Sequence, residues 1–202
     1  MTAKRHTSPV TRVEDRVLLD AARDCVLEQG VRRTTLTDVA RRAQVSRMTL
    51  YRRHPDVRSL LAALMTREFG ELLTRAAASV ADGPTARDRL VRGAVAGVRA
   101  ITADPVMRTV LDRDGALVLP YVVERLGSTQ KIAEAYLVGQ LTAGHADGSI
   151  RRADTAAQAR ALLLTVQSFV LSLVPATADV DAEALLAELT HLLDAALRPE
   201  EP

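Results

Sequence analysis

The stretch TTLTDVARRAQVSRMTLYRRHP, Thr34 to Pro55, decides the fold. Thr35 followed three residues on by Asp38 is a capping pattern, and Leu36, Val39, Ala40 and Ala43 then recur at helical spacing, which predicts a helix of about two turns. Gln44-Val45 makes a short connection. Ser46 is a second N-cap and opens a helix over 47–53, on which Leu50, with Val45 before it, faces inward while Arg47, Met48, Thr49, Arg52 and Arg53 stay outside. His54-Pro55 ends that helix, because proline disfavours helical geometry in the residue before it.

Two short helices joined by a tight turn, the second displaying Arg, Thr, Tyr and Arg, are expected to form a helix-turn-helix. An α-helix fits the major groove of B-DNA, where arginine reads guanine O6 and N7 and threonine meets a base or a thymine methyl. Arg47 and Thr49 are the candidates for that work, with Met48 and Arg52 on the same outer face. Thr35, Ser46 and Tyr51 suit phosphate contacts, which set register without reading sequence, and Arg53 closes the same helix. Arg52-Arg53 taken alone would be a solvated helix face, and Arg41-Arg42 read as solubility and steering charges rather than base readers.

Working outward, Val13, Val17, Ala21 and Cys25 step by four, with Leu18, Ala22 and Val26 widening the stripe. This predicts a first helix over 12–29, started by Thr11 and Glu14 and stopped by Gly30. Asp56 caps a long fourth helix whose Leu60, Leu61, Leu64, Phe69 and Leu72 lead to a break at Asp82-Gly83-Pro84. Further helical segments are expected at about 86–102, after Asp104-Pro105, and over 118–126, 129–146, 155–173 and 182–197. Strand signals are nearly absent, so the fold class is all-α.

Composition narrows the function. The 202 residues carry a net charge of +2, but residues 1–60 hold 13 Lys+Arg against 7 Asp+Glu and the remainder 14 against 18. A basic N-terminal segment on an acidic body is the footprint of a nucleic-acid-binding module joined to something with another task. Cys25 is the single cysteine and reads as a small buried hydrophobe. His6, His54, His145 and His191 are scattered, so no metal site and no cofactor is expected, and no nucleophile with its base can be composed. There is no uninterrupted run of about 18 apolar residues, and the N-terminus leads into polar residues; a cytoplasmic protein without a membrane partner is expected.

At this point the chain resembles the tetracycline-repressor (TetR) family of transcriptional regulators. Residues 13–69 carry the resemblance, most closely TTLTDVARRAQVSRMTLY with the Gly30 helix end, the Val45-Ser46 turn and the Thr49-Leu50-Tyr51 sequence at family spacing. Gln44 stands where the turn usually has glycine, His54 replaces a core aromatic, and Val57 sits where a phosphate-contacting lysine is common. The resemblance implies a homodimer of nine or ten helices per chain that binds a near-palindromic double-stranded operator, commonly as a repressor released by a small molecule. It places an arm at 1–11, the DNA-binding domain at 12–58 and a ligand-binding and dimerisation domain at 59–198.

In that second domain the apolar faces of the last two helices exceed what two helices bury alone, so Leu162, Val166, Phe169, Val170, Leu186, Leu189 and Leu193 are expected at a two-fold four-helix contact. Phe69, Met107, Leu111, Tyr121, Tyr136, Gln167 and Phe169 are the pocket candidates, and their scarcity of charge favours a hydrophobic or weakly polar effector. Two alternatives stand beside this one: a DNA-binding dimer without a small-molecule effector, controlled by a protein partner or constitutive, and, more remotely, an all-α enzyme.

Overall fold

Helix α1 is described over Pro9–Gln29. The computed structural model describes residues 9–114 and 126–200, with side chains from residue 15 onward. Thr11 and Glu14 therefore lie inside α1 rather than at its cap, and the expected arm, apart from its last three residues, falls outside the described part. The buried stripe of α1 runs through Leu18, Ala22, Cys25 and Val26, while Val17 turns out to solvent. Gly30 ends the helix at φ +84°, its N–H reaching the Val26 carbonyl at 2.9 Å.

The next two helices coincide with the expected spans: α2 (Leu36–Arg42) and α3 (Arg47–Arg53). Their caps form as read, with Thr35 Oγ1 accepting from the Asp38 N–H at 3.2 Å and Ser46 Oγ from the Thr49 N–H at 3.1 Å. Between them the Val45 N–H returns to the Ala40 carbonyl at 3.0 Å and the Gln44 N–H to the Arg41 carbonyl at 3.3 Å. This is the helix-ending pattern that demands a left-handed residue, and Gln44 supplies it at φ 55°. Glycine occupies that region without penalty, whereas a side chain is strained there.

Asp56 caps α4 (Val57–Ala78), which ends a turn before the expected break at Asp82. It is followed by α5 (Ala86–Ala103) and α6 (Pro105–Asp114); Asp104 Oδ1 receives the N–H groups of Val106 and Met107 at 2.9 and 3.0 Å. The helix expected over 118–126 lies outside the described residues. Beyond it come α7 (Ser128–Asp147), α8 (Thr155–Ala176) and α9 (Ala182–Leu197). Among the described residues every regular element is a helix.

Helix α5 is the axis of the body, packing against α4, α6, α7, α8 and α9. That arrangement explains a difference from the sequence reading. Leu162, Leu186, Leu189 and Leu193, expected at a two-fold contact, are enclosed by their own subunit's core with Leu90, Val98, Leu137 and Leu141, because α5 covers the inner stripe of α9 and, with α7, that of α8. Val166, Phe169 and Val170 are half-buried against the same core. What α8 and α9 leave open is a different set: Leu164 at 54% exposure, Val174 at 63% and Leu192 at 54%. By length and composition α8 could cross a membrane, with mean hydropathy 1.5, but Leu162, Leu163 and Leu173 are packed inside the protein.

Replacing Gln44 with glycine removes the left-handed strain while preserving both closing hydrogen bonds. The Gln44→Gly variant is expected to gain about 0.5–1 kcal/mol in urea unfolding. An unchanged or lower midpoint would show that the turn carries no such strain.

Candidate nucleic-acid interface

The three-helix module around α3 has an apolar core of its own, yet it is not self-contained. Leu18, Ala22 and Val26 of α1, Val39 of α2 and Leu50 of α3 close on Leu60 and Leu64 of α4 and on Val106 and Val110 of α6. Leu50 is wholly buried, which fixes the rotation of α3. The opposite face follows from that rotation. Met48 is 76% exposed, Tyr51 48%, and Arg47 and Arg52 are exposed beside them.

Ion pairing sorts the arginines of this module into two groups. Arg41 is held by Asp38 at 2.9 Å, Arg42 by Glu28 and Asp24, and Arg53 by Asp15 of α1. Arg33, Arg47, Arg52 and Arg58 meet no carboxylate among the described residues. Arg53 thus binds α3 to α1, whereas Arg47 and Arg52 extend from the open face. Thr35 and Ser46 spend their hydroxyls on capping, with Thr49 Oγ1 2.9 Å from Ser46 Oγ. Val57 is half-buried against the module's core, and the exposed cation at the start of α4 is Arg58.

Two buried carboxylates join the module to the body. Glu68 of α4 accepts from Arg23 Nε of α1 at 3.1 Å and from Arg67 Nη2 at 2.6 Å, and Arg67 in turn reaches Asp20 at 2.7 Å. Burial works against the Arg67 charge, but Glu68 and Asp20 outweigh it and raise its pKa. Asp114 of α6 accepts the Val31 N–H at 2.9 Å and pairs with Arg32 Nε at 3.2 Å. Both carboxylates escaped the sequence reading. The signal was there: Leu60, Leu64, Glu68, Leu72 and Ala76 step by four, as do Val106, Val110 and Asp114, so each acid interrupts an apolar stripe.

The residues expected around a pocket separate into groups. Phe69 and Met107 pack together with Leu72, Ile101, Met65 and Val170, where α4, α5, α6 and α8 converge. Leu111 is half-buried on α6. Tyr136 lies apart, on an open groove between α4 and α7, and a Cβ on Gly93 would come 3.0 Å from its hydroxyl. Burial raises the Tyr136 pKa. Gln167 is bonded to Gln130 of α7 at 2.6 Å, and Phe169 packs on the body core. Tyr121 lies outside the described residues.

A family profile described as bacterial regulatory proteins, tetR family, matches residues 18–64, which span the last part of α1 to the middle of α4. The HTH-type transcriptional regulator Rv2250c of Mycobacterium tuberculosis is 37% identical over 177 residues, covering 88% of this chain and 90% of that protein. The chain belongs to the TetR family. Among solved structures, the TetR-family transcriptional repressor QsdR of R. erythropolis aligns with a TM-score of 0.69 at 17% identity, over 95% of this chain and 100% of that one. FadR of Bacillus subtilis, solved in complex with stearoyl-CoA, aligns with a TM-score of 0.64 at 20% identity, over 91% and 99%. As a TetR-family member the chain is a DNA-binding transcriptional regulator, and the exposed face of α3 is the second helix of its helix-turn-helix.

His54, at the end of that helix, is half-buried, and burial pushes its pKa below the ordinary value near 6.5; Asp15 opposes the shift and Arg53 adds to it. A depressed folded-state pKa means that the unfolded chain takes up the proton first, so this contribution is complete above about pH 6.5 and is lost as pH falls through the folded-state value. Compared between pH 7.5 and 5 by urea unfolding, wild type is expected to lose stability relative to His54→Phe. Parallel curves would show that His54 does not carry the pH dependence.

Proposed function

We propose that this TetR-family regulator is a homodimeric repressor, released from a near-palindromic operator by a small, mainly hydrophobic effector. The observation that carries the reading is the sorting of charges on the reading head. Its exposed helix face offers Arg47 and Arg52, which meet no carboxylate among the described residues, while Arg41, Arg42 and Arg53 are tied to carboxylates. Such guanidinium groups on a helix held by a buried leucine suit the acceptor edges of guanine and the phosphates. In this reading Arg47, Met48 and Thr49 meet bases. Tyr51, Arg52 and Arg58 meet the backbone, and Arg53, Thr35 and Ser46 hold the head in shape.

Two heads must reach major grooves one turn apart, about 34 Å. The exposed Leu164, Val174 and Leu192 of α8 and α9 are the apolar surface that a two-fold contact would cover, with the half-buried Val166, Phe169 and Val170 behind it. The functional division then runs from a head over residues 12–58 to a body over 59–198, with α4 and α6 shared at the seam. Effector binding among Phe69, Met107 and Val170 would act on the two helices that complete the head's core. It acts only so far as the effector prefers the conformer that does not fit DNA.

Selection of bound duplexes from random DNA tests this reading. An enriched near-palindrome with half-sites one helical turn apart is expected, bound with a steep salt dependence. Arg47→Ala should cost about 1–3 kcal/mol and relax the preference at one position per half-site, whereas Tyr51→Phe should weaken all sequences alike. Enrichment of a single half-site would rule out the symmetric dimer. For the body, Leu192→Glu is expected to yield folded monomers in sedimentation and to lower DNA affinity. A dimer unaffected by that charge would move the interface elsewhere.

A further inference from the structure

Leu50 fixes the rotation of α3, and that rotation singles out one side chain. Successive residues of an α-helix are turned by about 100°. Counted from the fully buried Leu50, Met48 and Arg52 stand about 160° and about 200° around the axis. They occupy the pole opposite the core, whereas Arg47, Thr49 and Tyr51 lie toward the flanks. Met48 is the second residue of α3 and, at 76% exposure, the most exposed large apolar side chain among the described residues.

A single apolar side chain on a free surface needs no explanation. This one stands where the second helix of a helix-turn-helix enters the major groove, since the first turn of that helix is the part that meets base edges. There it covers some base group and drives the water from it. A thioether donates no hydrogen bond and accepts only weakly, so over guanine O6 and N7, adenine N7 and N6, or cytosine N4 it strips a polar edge of its partner. Each such edge is penalised when it loses water without a replacement. Thymine alone among the four bases presents a projecting apolar group to the major groove, its 5-methyl. Thr49 is the other outward side chain of this turn with a methyl group, but it is half-buried on the flank, and its hydroxyl is 2.9 Å from Ser46 Oγ within the cap.

Resting on the reading proposed above, we infer that Met48 determines specificity by packing its side chain on the 5-methyl of one thymine in each half-site. The selection is apolar, and it is separate from the hydrogen bonds that the arginines of the same face offer to acceptors.

The duplex enriched from random DNA supplies the probe. Each of its thymines is replaced singly by uracil, which lacks only the methyl, and binding of the full chain is titrated at fixed salt. In wild type, one thymine per half-site should lose about 3- to 5-fold in affinity on replacement, the value of one buried methyl-sized group. In Met48→Ala the thymine duplex should bind more weakly and that uracil penalty should vanish, whereas Met48→Leu, which keeps an apolar chain, should retain most of it. Thr49→Ser removes a methyl and keeps the capping hydroxyl, and it should leave the penalty intact. A penalty that persists in Met48→Ala, or that vanishes in Thr49→Ser instead, overturns the assignment to Met48. Tight binding with no uracil-sensitive position overturns it as well. In each of those cases duplex binding stands, and the DNA-reading face with it. If selection enriches no duplex at all, that reading fails and this inference falls with it.

Discussion

The orientation of the reading head rests on a carboxylate buried in a body helix. Asp114 of α6 is only 3% exposed, and a carboxylate buried that far needs compensating partners. Its compensation comes from the head: the Val31 N–H just past the left-handed Gly30, and the guanidinium of Arg32. Buried polar groups are stable only with partners, so the α1–α2 loop and α6 are held to one another. The Glu68 cluster repeats the device between α4 and α1, and Val106 and Val110 seal the space between with apolar contact.

This seam gives a physical route from the body to DNA. The same α6 whose Val106 and Val110 complete the head's core presents Met107 to the cluster with Phe69, Leu72 and Ile101. Neighbouring residues of one helix thus serve two cores. A shift of α6 of the kind that a ligand beside Met107 would favour cannot leave the head in place without exposing Val110 or parting Asp114 from Val31. Close-packed interiors respond to such changes by discrete rearrangement rather than by smooth yielding.

Most of the fold was legible in the sequence because its boundaries are made by local chemistry. Thr35, Ser46 and Asp56 cap helices through hydrogen bonds that reach only three residues ahead, and Gln44 stands out because the turn closing α2 requires a left-handed residue. The rotation of α3 was equally local, set by Leu50. Periodicity says that a face is apolar, not what covers it. The face of Leu186, Leu189 and Leu193 reads from sequence as a subunit contact, and what covers it in the structure is α5. The two seam carboxylates read as flaws in apolar stripes until their partners, 45 and 83 residues away, are in place. The Gln130–Gln167 bond, across 37 residues, has no sequence pattern at all.

Native-state amide exchange in wild type and in Asp114→Ala measures the seam directly. If the head is held through Asp114, the variant leaves the Val31 N–H without its acceptor. Amides of Val31 and of α2 and α3 should then exchange roughly 10- to 100-fold faster, the range set by one lost buried partner, while those of α5 keep their protection. Unaltered exchange in the head, or equal loss in α5, would contradict a head positioned by that carboxylate.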